Sequence, residues 1–357
     1  MSPAPRILFL PASGAKGAGE YFRCLTIAEG VQRRWPAADI RFVISREAGY
    51  AHEVPFPVVL VDRSPTFETG AVIRAIDEVR PDIVIFDSAG RFAQFRHARH
   101  AGARVVYVSS RPKTRWKGFR LRRMTQLDQH WLAWPRFLDG ELSGWERLKL
   151  AIVRRVKVVF LDCLFPPPDQ ARATAYRSEL GLGAEPYVLF CAGGGGYRYN
   201  GLSAPEIFGQ AAVDAANDGG PRTVWVRGPN YAGHLAPAPG LLSLGALSGP
   251  QMMDLLSGAS VAAINGGSLL LQALALKVPC VAAAVAGDQG ARIRACASRG
   301  LLLSSELDSA ALASAARNLF NGGADAIRAR LGQLDLTNGV DKTTAALEQL
   351  LAARHAA

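Results

Sequence analysis

What most limits the folds open to this chain is a rhythm that starts twice. Short runs of β-branched and large apolar residues alternate with longer helix-like stretches. Apolar runs of strand length suit strands covered on both faces of a parallel sheet, and the intervening helices supply the crossovers. In the first half, this pattern predicts strands at Arg6–Leu10, Arg41–Ser45, Val58–Val61, Ile83–Phe86, Val105–Val108 and Val156–Leu161. A loop at Pro11–Gly19 opens a helix running to about Arg34, with Phe22, Leu25, Ala28 and Val31 as its apolar face. Thr69–Val79 and Arg91–His100 read as further helices, and residues 111–150 break the rhythm. The segment Phe165-Pro166-Pro167-Pro168-Asp169 is the strongest linker signal. Beyond it the pattern restarts, with strands at Tyr187–Cys191, Thr223–Val226, Val261–Ile264 and Pro279–Val285 and a helix at Leu269–Leu276. The expectation is two α/β domains, 1–165 and 166–357, with a ligand cleft between them and the last helix a candidate to pack back on the first.

Charge divides at the same linker. Residues 1–165 hold 27 Lys and Arg against 16 Asp and Glu, whereas residues 166–357 hold 14 of each. The whole excess of +11 therefore belongs to the first half. Seven cations crowd one stretch: Arg111, Lys113, Arg115, Lys117, Arg120, Arg122 and Arg123. Trp116, Trp131 and Trp134 lie within or near it. Two readings stand, an interfacial patch for an anionic membrane or acceptor and a solvated basic loop. The five cysteines form no C-x-x-C pair, so neither a disulfide framework nor a zinc site is suggested, and a reducing cytoplasm is expected. Ile7–Leu10 is too short for the apolar core of a leader, and no apolar stretch of membrane-spanning length occurs.

Glycine clusters follow three of the β-like runs. Gly193–Gly196 follows Tyr187–Cys191, and Gly266-Gly267-Ser268 stands between a strand and a helix. Such turns expose backbone N–H groups at a helix end and let a phosphate approach closely, although tight strand-to-helix turns also need glycine. In the first loop, Gly14, Gly17 and Gly19 are spaced G-x-x-G-x-G, not the dinucleotide order, and no P-loop or H-E-x-x-H occurs. Glu20 begins the following helix. It is either a carboxylate complementing the helix dipole or a general base for an acceptor hydroxyl. Asp87, closing the strand Ile83–Phe86, is either catalytic or the N-cap of the helix after it.

The segment Gly19-Glu20-Tyr21-Phe22-Arg23-Cys24-Leu25-Thr26-Ile27-Ala28 resembles the G-H-x-x-R-C-L-x-L-A element of the nucleotide-sugar hydrolase of pseudaminic acid biosynthesis. That family is similar in turn to the lipid-linked N-acetylglucosaminyltransferase of peptidoglycan synthesis. Gly266-Gly267-Ser268-Leu269-Leu270-Leu271-Gln272, with Pro279 following, resembles the donor-binding G-A-x-T-x-x-E…P pattern. Asp288-Gln289 resembles the D-x-Q element, and Gly228-Pro229-Asn230 a G-x-N turn. The resemblance implies the GT-B fold, two Rossmann-like α/β domains facing each other across a cleft, with the nucleotide held mainly by the C-terminal one. It implies donor contacts from Leu247, Gly266, Gly267, Ser268, Gln272, Asp288 and Gln289. The glycine turns themselves add Gly17, Gly19, Gly193, Gly194 and Gly195 to the expected donor site, with Arg198 and Arg227 as cations for the diphosphate. Glu20 replaces the family's histidine, and Gln272 its ribose-binding carboxylate.

The leading expectation is a glycosyltransferase. It would use a nucleotide-diphosphate sugar, with uridine as the favoured base, and an anionic or lipid-pyrophosphate acceptor at the basic half. Neither metal nor separate cofactor is expected. A nucleotide-sugar hydrolase is the second reading. A basic nucleic-acid-binding protein is the third, disfavoured by the neutral second half.

Overall fold

The computed structural model describes residues 4–355 apart from 15–18, 195, 200, 218, 229, 230, 232 and 234, the side chains at 139, 199, 202, 354 and 355 excepted. The chain forms two compact units, Met1–Leu164 with Asn338–Ala357, and Phe165–Thr337.

In the first unit, the strands are β1 (Arg6–Pro11), β2 (Asp39–Ser45), β3 (Val58–Val61), β4 (Ile83–Asp87), β5 (Arg104–Ser109), β6 (Gln129–Leu132) and β7 (Lys157–Phe160). Its helices are α1 (Gly19–Arg34), α2 (Thr69–Val79), α3 (Phe92–His100), α4 (Pro112–Gly118), α5 (Leu121–Met124), α6 (Arg136–Asp139) and α7 (Gly144–Ile152). The sheet is parallel throughout, in the order β3-β2-β1-β4-β5-β6-β7. Alternation along each strand divides the core. Ile7, Phe9, Phe42, Ile85 and Trp131 pack on one face, while Leu8, Leu10, Val43, Phe86 and Tyr107 pack on the other.

Three local expectations change. The buried face of α1 is Tyr21, Cys24, Ile27, Ala28 and Val31, and Phe22 is 55% exposed. The anticipated stripe was out of phase at its start because two aromatics are adjacent, and Tyr21 wins the inner position by stacking on Tyr50 at 4.1 Å. Strand β6 was not expected, because Gln129 and His130 disguise it. Both are buried, with Gln129 donating to the Ala346 carbonyl at 3.0 Å. Trp131 is consequently a core residue and no part of an interfacial patch; its indole N–H donates to Gln129 at 2.6 Å.

The second unit contains β8 (Tyr187–Cys191), β9 (Arg198–Tyr199), β10 (Leu202–Ser203), β11 (Arg222–Val226), β12 (Leu241–Leu244), β13 (Val261–Asn265), β14 (Cys280–Ala283) and β15 (Leu303–Ser304). Its helices are α8 (Gln170–Glu179), α9 (Ala204–Ala216), α10 (Gly249–Gly258), α11 (Ser268–Ala275), α12 (Gln289–Ala297), α13 (Ser309–Asn318) and α14 (Asp325–Gln333). Six strands form a parallel sheet, ordered β12-β11-β8-β13-β14-β15. The proline-rich segment is pinned where it enters this unit. The buried Asp254 carboxylate accepts the Asp169 N–H at 3.0 Å and pairs with Arg172.

The chain then returns to the first unit. Asn338 bridges to Cys163, and helix α15 (Val340–His355) lies along α1. There Gly30 leaves room for Val340, whose Cγ1 stands 2.7 Å from where a Cβ would be, and Arg34 pairs with Glu348 at 2.7 Å. Among the described residues, no helix is long and apolar enough to cross a membrane.

Candidate functional site

Both sheets share one topology. Counted in chain order within each parallel sheet, leaving aside the β9–β10 hairpin, the strands lie 3-2-1-4-5-6, with a seventh added to the first sheet. In such a sheet the connections leave in opposite directions from strands 1 and 4, and a crevice opens at their carboxyl ends. That edge lies at β8 and β13 in the second unit and at β1 and β4 in the first.

The two glycine clusters of the second half both fall at this edge, one after β8 and one after β13. Asn265 joins them. Its side-chain amide donates to the Ala192 carbonyl at 2.7 Å, and its oxygen accepts the Gly267 N–H at 3.1 Å. Gly193 is held against it at φ +86°, and a Cβ there would stand 2.6 Å from Asn265 Nδ2. Both the left-handed backbone and the close approach demand glycine.

The glycine N–H groups that the sequence suggests for a ligand are already engaged. Gly266 donates to Gln289 Oε1 at 3.2 Å, and Val285 donates to the same oxygen at 2.9 Å. Gly266 and Gly267 thus have their N–H groups occupied, and buried Gln289 is a brace between the loops after β13 and β14. The amides left at the helix end are those of the first turn of α11, from Ser268 to Leu270. Gly266 admits no side chain, because a Cβ would come within 2.8 Å of Ile293 and 2.9 Å of Gln289.

Arg292, which no motif marks in the sequence, reaches these loops from α12. It bonds the Gly266 carbonyl and pairs with exposed Asp288 at 3.2 Å. Burial pushes its guanidinium below the ordinary arginine value, and Asp288 opposes the shift. The spacing Asp288-x-x-x-Arg292 on one helix was the available signal.

Other predicted donor residues are more scattered. Half-buried Gln272 lies on α11, and half-buried Leu247 immediately precedes the Ser248 cap of α10. Arg227 donates to the Leu244 carbonyl at 3.2 Å, and exposed Arg198 donates to Gly201 at 3.3 Å on the β9–β10 hairpin. Gly194 is exposed. Gly17, Gly195, Pro229 and Asn230 lie outside the described residues, and Gly19 is the first residue of α1.

At the corresponding edge of the first unit, Pro11 registers with Asp87 and the Ala12 N–H donates to the Asp87 carbonyl at 2.9 Å. Asp87 is 3% exposed and grips Arg23 through two hydrogen bonds, at 2.6 and 2.8 Å. Burial pushes this carboxyl up, and the guanidinium pulls it back. Asp87 therefore braces the edge and is not a group free to take a substrate proton. Nor does it cap the next helix, whose first turn is closed by the Arg91 N–H donating to Gln94 at 2.8 Å. Glu20, by contrast, has a side chain 24% exposed and lies 3.4 Å from Arg111. Beside Asp87, the buried Ser88 hydroxyl has no partner among the described residues.

The basic stretch separates into two roles. Arg115 is buried, bonding Glu146 at 2.9 and 2.8 Å and the Glu141 carbonyl at 3.1 Å, so it leaves the expected patch. Half-buried Arg123 lies 4.9 Å from the ring centres of both Phe95 and Tyr107. The exposed members are Arg111, Lys113, Trp116, Arg120 and Arg122, with Lys117 half-buried. Arg120 stacks over Trp116 at 4.1 Å. Burial lowers the Lys117 ammonium from its ordinary value, and Lys113, Arg123, Arg120 and Arg91 push it the same way.

Beneath this stretch, His130 shares a hydrogen bond with Ser109 at 2.9 Å, and its Nδ1 has no partner among the described residues. Burial pushes the imidazole down to about 3, assisted by Arg115 and Arg123 and opposed by Glu146. In the unfolded chain it protonates near its ordinary value, about 6.5. Between those values the unfolded state binds the extra proton, so stability falls as pH falls. The first unit should lose about 2 kcal/mol through this group by about pH 5. Denaturant titrations across that range check this, and His130→Gln should flatten the slope.

No protein-family model matches the chain, and no curated protein sequence does either. Solved structures do match along its length. They include the glycosyltransferase SnogD from Streptomyces nogalater, 13% identical, covering 97% of this chain and 100% of its own, with a TM-score of 0.66. The spinosyn forosaminyltransferase SpnP is 14% identical over 98% and 100%, with a TM-score of 0.63. MurG from Acinetobacter baumannii is 14% identical over 97% and 100%, with a TM-score of 0.60. The fold is GT-B. At these identities the likeness concerns architecture, and GT-B folds, like other large folds, must be assigned a chemistry from their sites. The candidate site elements are the braced loops after β8, β13 and β14 in the second unit and the edge beside Glu20 in the first. Among the described residues, no group of three or more His, Cys, Asp or Glu could hold a metal ion.

Proposed function

We propose that this protein is a glycosyltransferase that takes a sugar from a nucleotide-diphosphate donor, a UDP-sugar being the favoured class, to an acceptor hydroxyl. The observation that supports this most is the joining of the β8 and β13 glycine loops by Asn265 at the strand-order reversal of the second sheet. In this reading the diphosphate meets the first-turn amides of α11 and the Gly193 loop, with Arg292 as the nearby cation. Gln272 receives the ribose, its amide accepting one hydroxyl proton and donating to the other oxygen. Leu247 lies toward the base. Glu20 takes the proton from the acceptor hydroxyl as that oxygen bonds to the anomeric carbon, and the nucleotide diphosphate leaves with the electron pair of the broken bond. Lys113, Arg120, Arg123 and Arg91, which crowd Lys117, favour an anionic acceptor.

Thermal unfolding against a panel of nucleotides and nucleotide sugars tests the donor half, since a ligand of the folded state must raise the midpoint. No shift with any nucleotide sugar would sink the proposal. Gly193→Ala should weaken donor binding about tenfold or more, because a left-handed alanine is strained and its methyl displaces Asn265. Turnover with and without acceptor then separates transfer from hydrolysis. Full-rate release of free sugar without acceptor would assign the hydrolase reading instead.

A further inference from the structure

Helix α7 has two unlike faces. Inward, Glu146 is fastened by the double hydrogen bond from Arg115, and Leu150 packs on the core of the first unit together with Leu142 and Val153. Outward, Trp145 is 73% exposed, Leu148 49% and Ile152 62%. These three stand at i, i+3 and i+7, a single stripe on a helix, and exposed Ala151 falls within it. At about 100° per residue, Arg147 and Lys149 border the stripe on opposite sides. Arg154 follows just beyond the helix and is exposed. Single exposed apolar residues are ordinary, whereas an unbroken apolar stripe with a tryptophan and flanking cations is the pattern of a helix lying in a membrane interface.

We infer that α7 docks the protein on an anionic bilayer surface, with Trp145, Leu148 and Ile152 entering the headgroup boundary and Arg147 and Lys149 reaching the phosphates. Charge favours this occupant. The first unit carries the whole positive excess of the chain, so a second copy seated on the stripe by twofold symmetry would set Arg147 and Lys149 against surfaces of the same sign. Anionic lipid attracts them instead. The arrangement also explains why Arg115 is buried: it holds the inner face of α7 so that the outer face is presented. The inference is independent of the proposed reaction.

The test is flotation of the full chain with phosphatidylcholine–phosphatidylglycerol vesicles and with phosphatidylcholine alone, at low and high salt. Retention on the anionic vesicles, weakened by salt, is expected. The combined variant Trp145→Ser and Ile152→Ser should lower partitioning about tenfold or more with an unchanged melting temperature, since both side chains are already in water. Absence of anionic-vesicle binding by the unaltered protein, or equal binding by the variant, overturns the inference. So does a concentration-dependent dimer that the substitutions dissociate, which would make the stripe an interface between copies.

Discussion

Exchanging Glu20 for Gln should lower turnover by about a hundredfold or more while leaving the melting temperature in place. Glutamine keeps the size of the side chain and an oxygen for Arg111, 3.4 Å away, but cannot accept a proton from a hydroxyl. The other account of Glu20, complementing the positive end of α1, divides the effects the opposite way. It predicts a loss of about 0.3–1 kcal/mol in stability with turnover preserved. Measuring kcat and thermal unfolding on the same preparation distinguishes the two, and near-normal kcat would remove Glu20 from the chemistry.

The largest stability effect should come from Arg23→Met, about 3–5 kcal/mol in unfolding of the first unit. Asp87 is almost wholly buried and receives both of its short hydrogen bonds from that guanidinium. Without it the buried carboxylate keeps, among the described residues, a contact with the Cys24 thiol 3.8 Å away. Burial already pushes this carboxyl up, and the substitution removes the group that opposed the shift. The variant should therefore be least impaired in acid and lose stability as pH rises through the carboxylate range, because its folded state holds the proton longer than its unfolded state. Adding Asp87→Leu should recover much of the loss. Denaturant unfolding of the two variants across pH checks this, and an unimpaired Arg23→Met would show that the pair contributes nothing net.

Strands with purely apolar cores were plain in the sequence. Val58–Val61 and Tyr187–Cys191 have the predicted bounds, and both second-half glycine clusters occupy the turns anticipated for them. Pairings distant along the chain were not legible. Arg115 reads as one cation among seven until Glu146 is seen beside it, and Asp87 reads as a catalytic acid or a cap until Arg23 is. Gln289 looks like a ligand by its place in a motif, yet its oxygen serves two backbone N–H groups. Strand β6 was hidden for the same reason, since the partners that let Gln129 and His130 be buried belong to α15 and β5. Local pattern reports burial well when side chains are apolar. It reports little when burial depends on a polar partner elsewhere.

The return of α15 to the first unit makes the second an insert, a guest lodged between residues 164 and 338 of its host. On the ribosome, β1 through β7 emerge long before the helix that covers Gly30 and Arg34, so the host waits unfinished while the guest is made and folds. Shortening the chain from its carboxyl end would thus strike the Glu20 unit first, although the sequence removed lies nearest the donor loops. Conversely, joining Leu164 to Asn338 by a short linker should release the host as a domain in its own right.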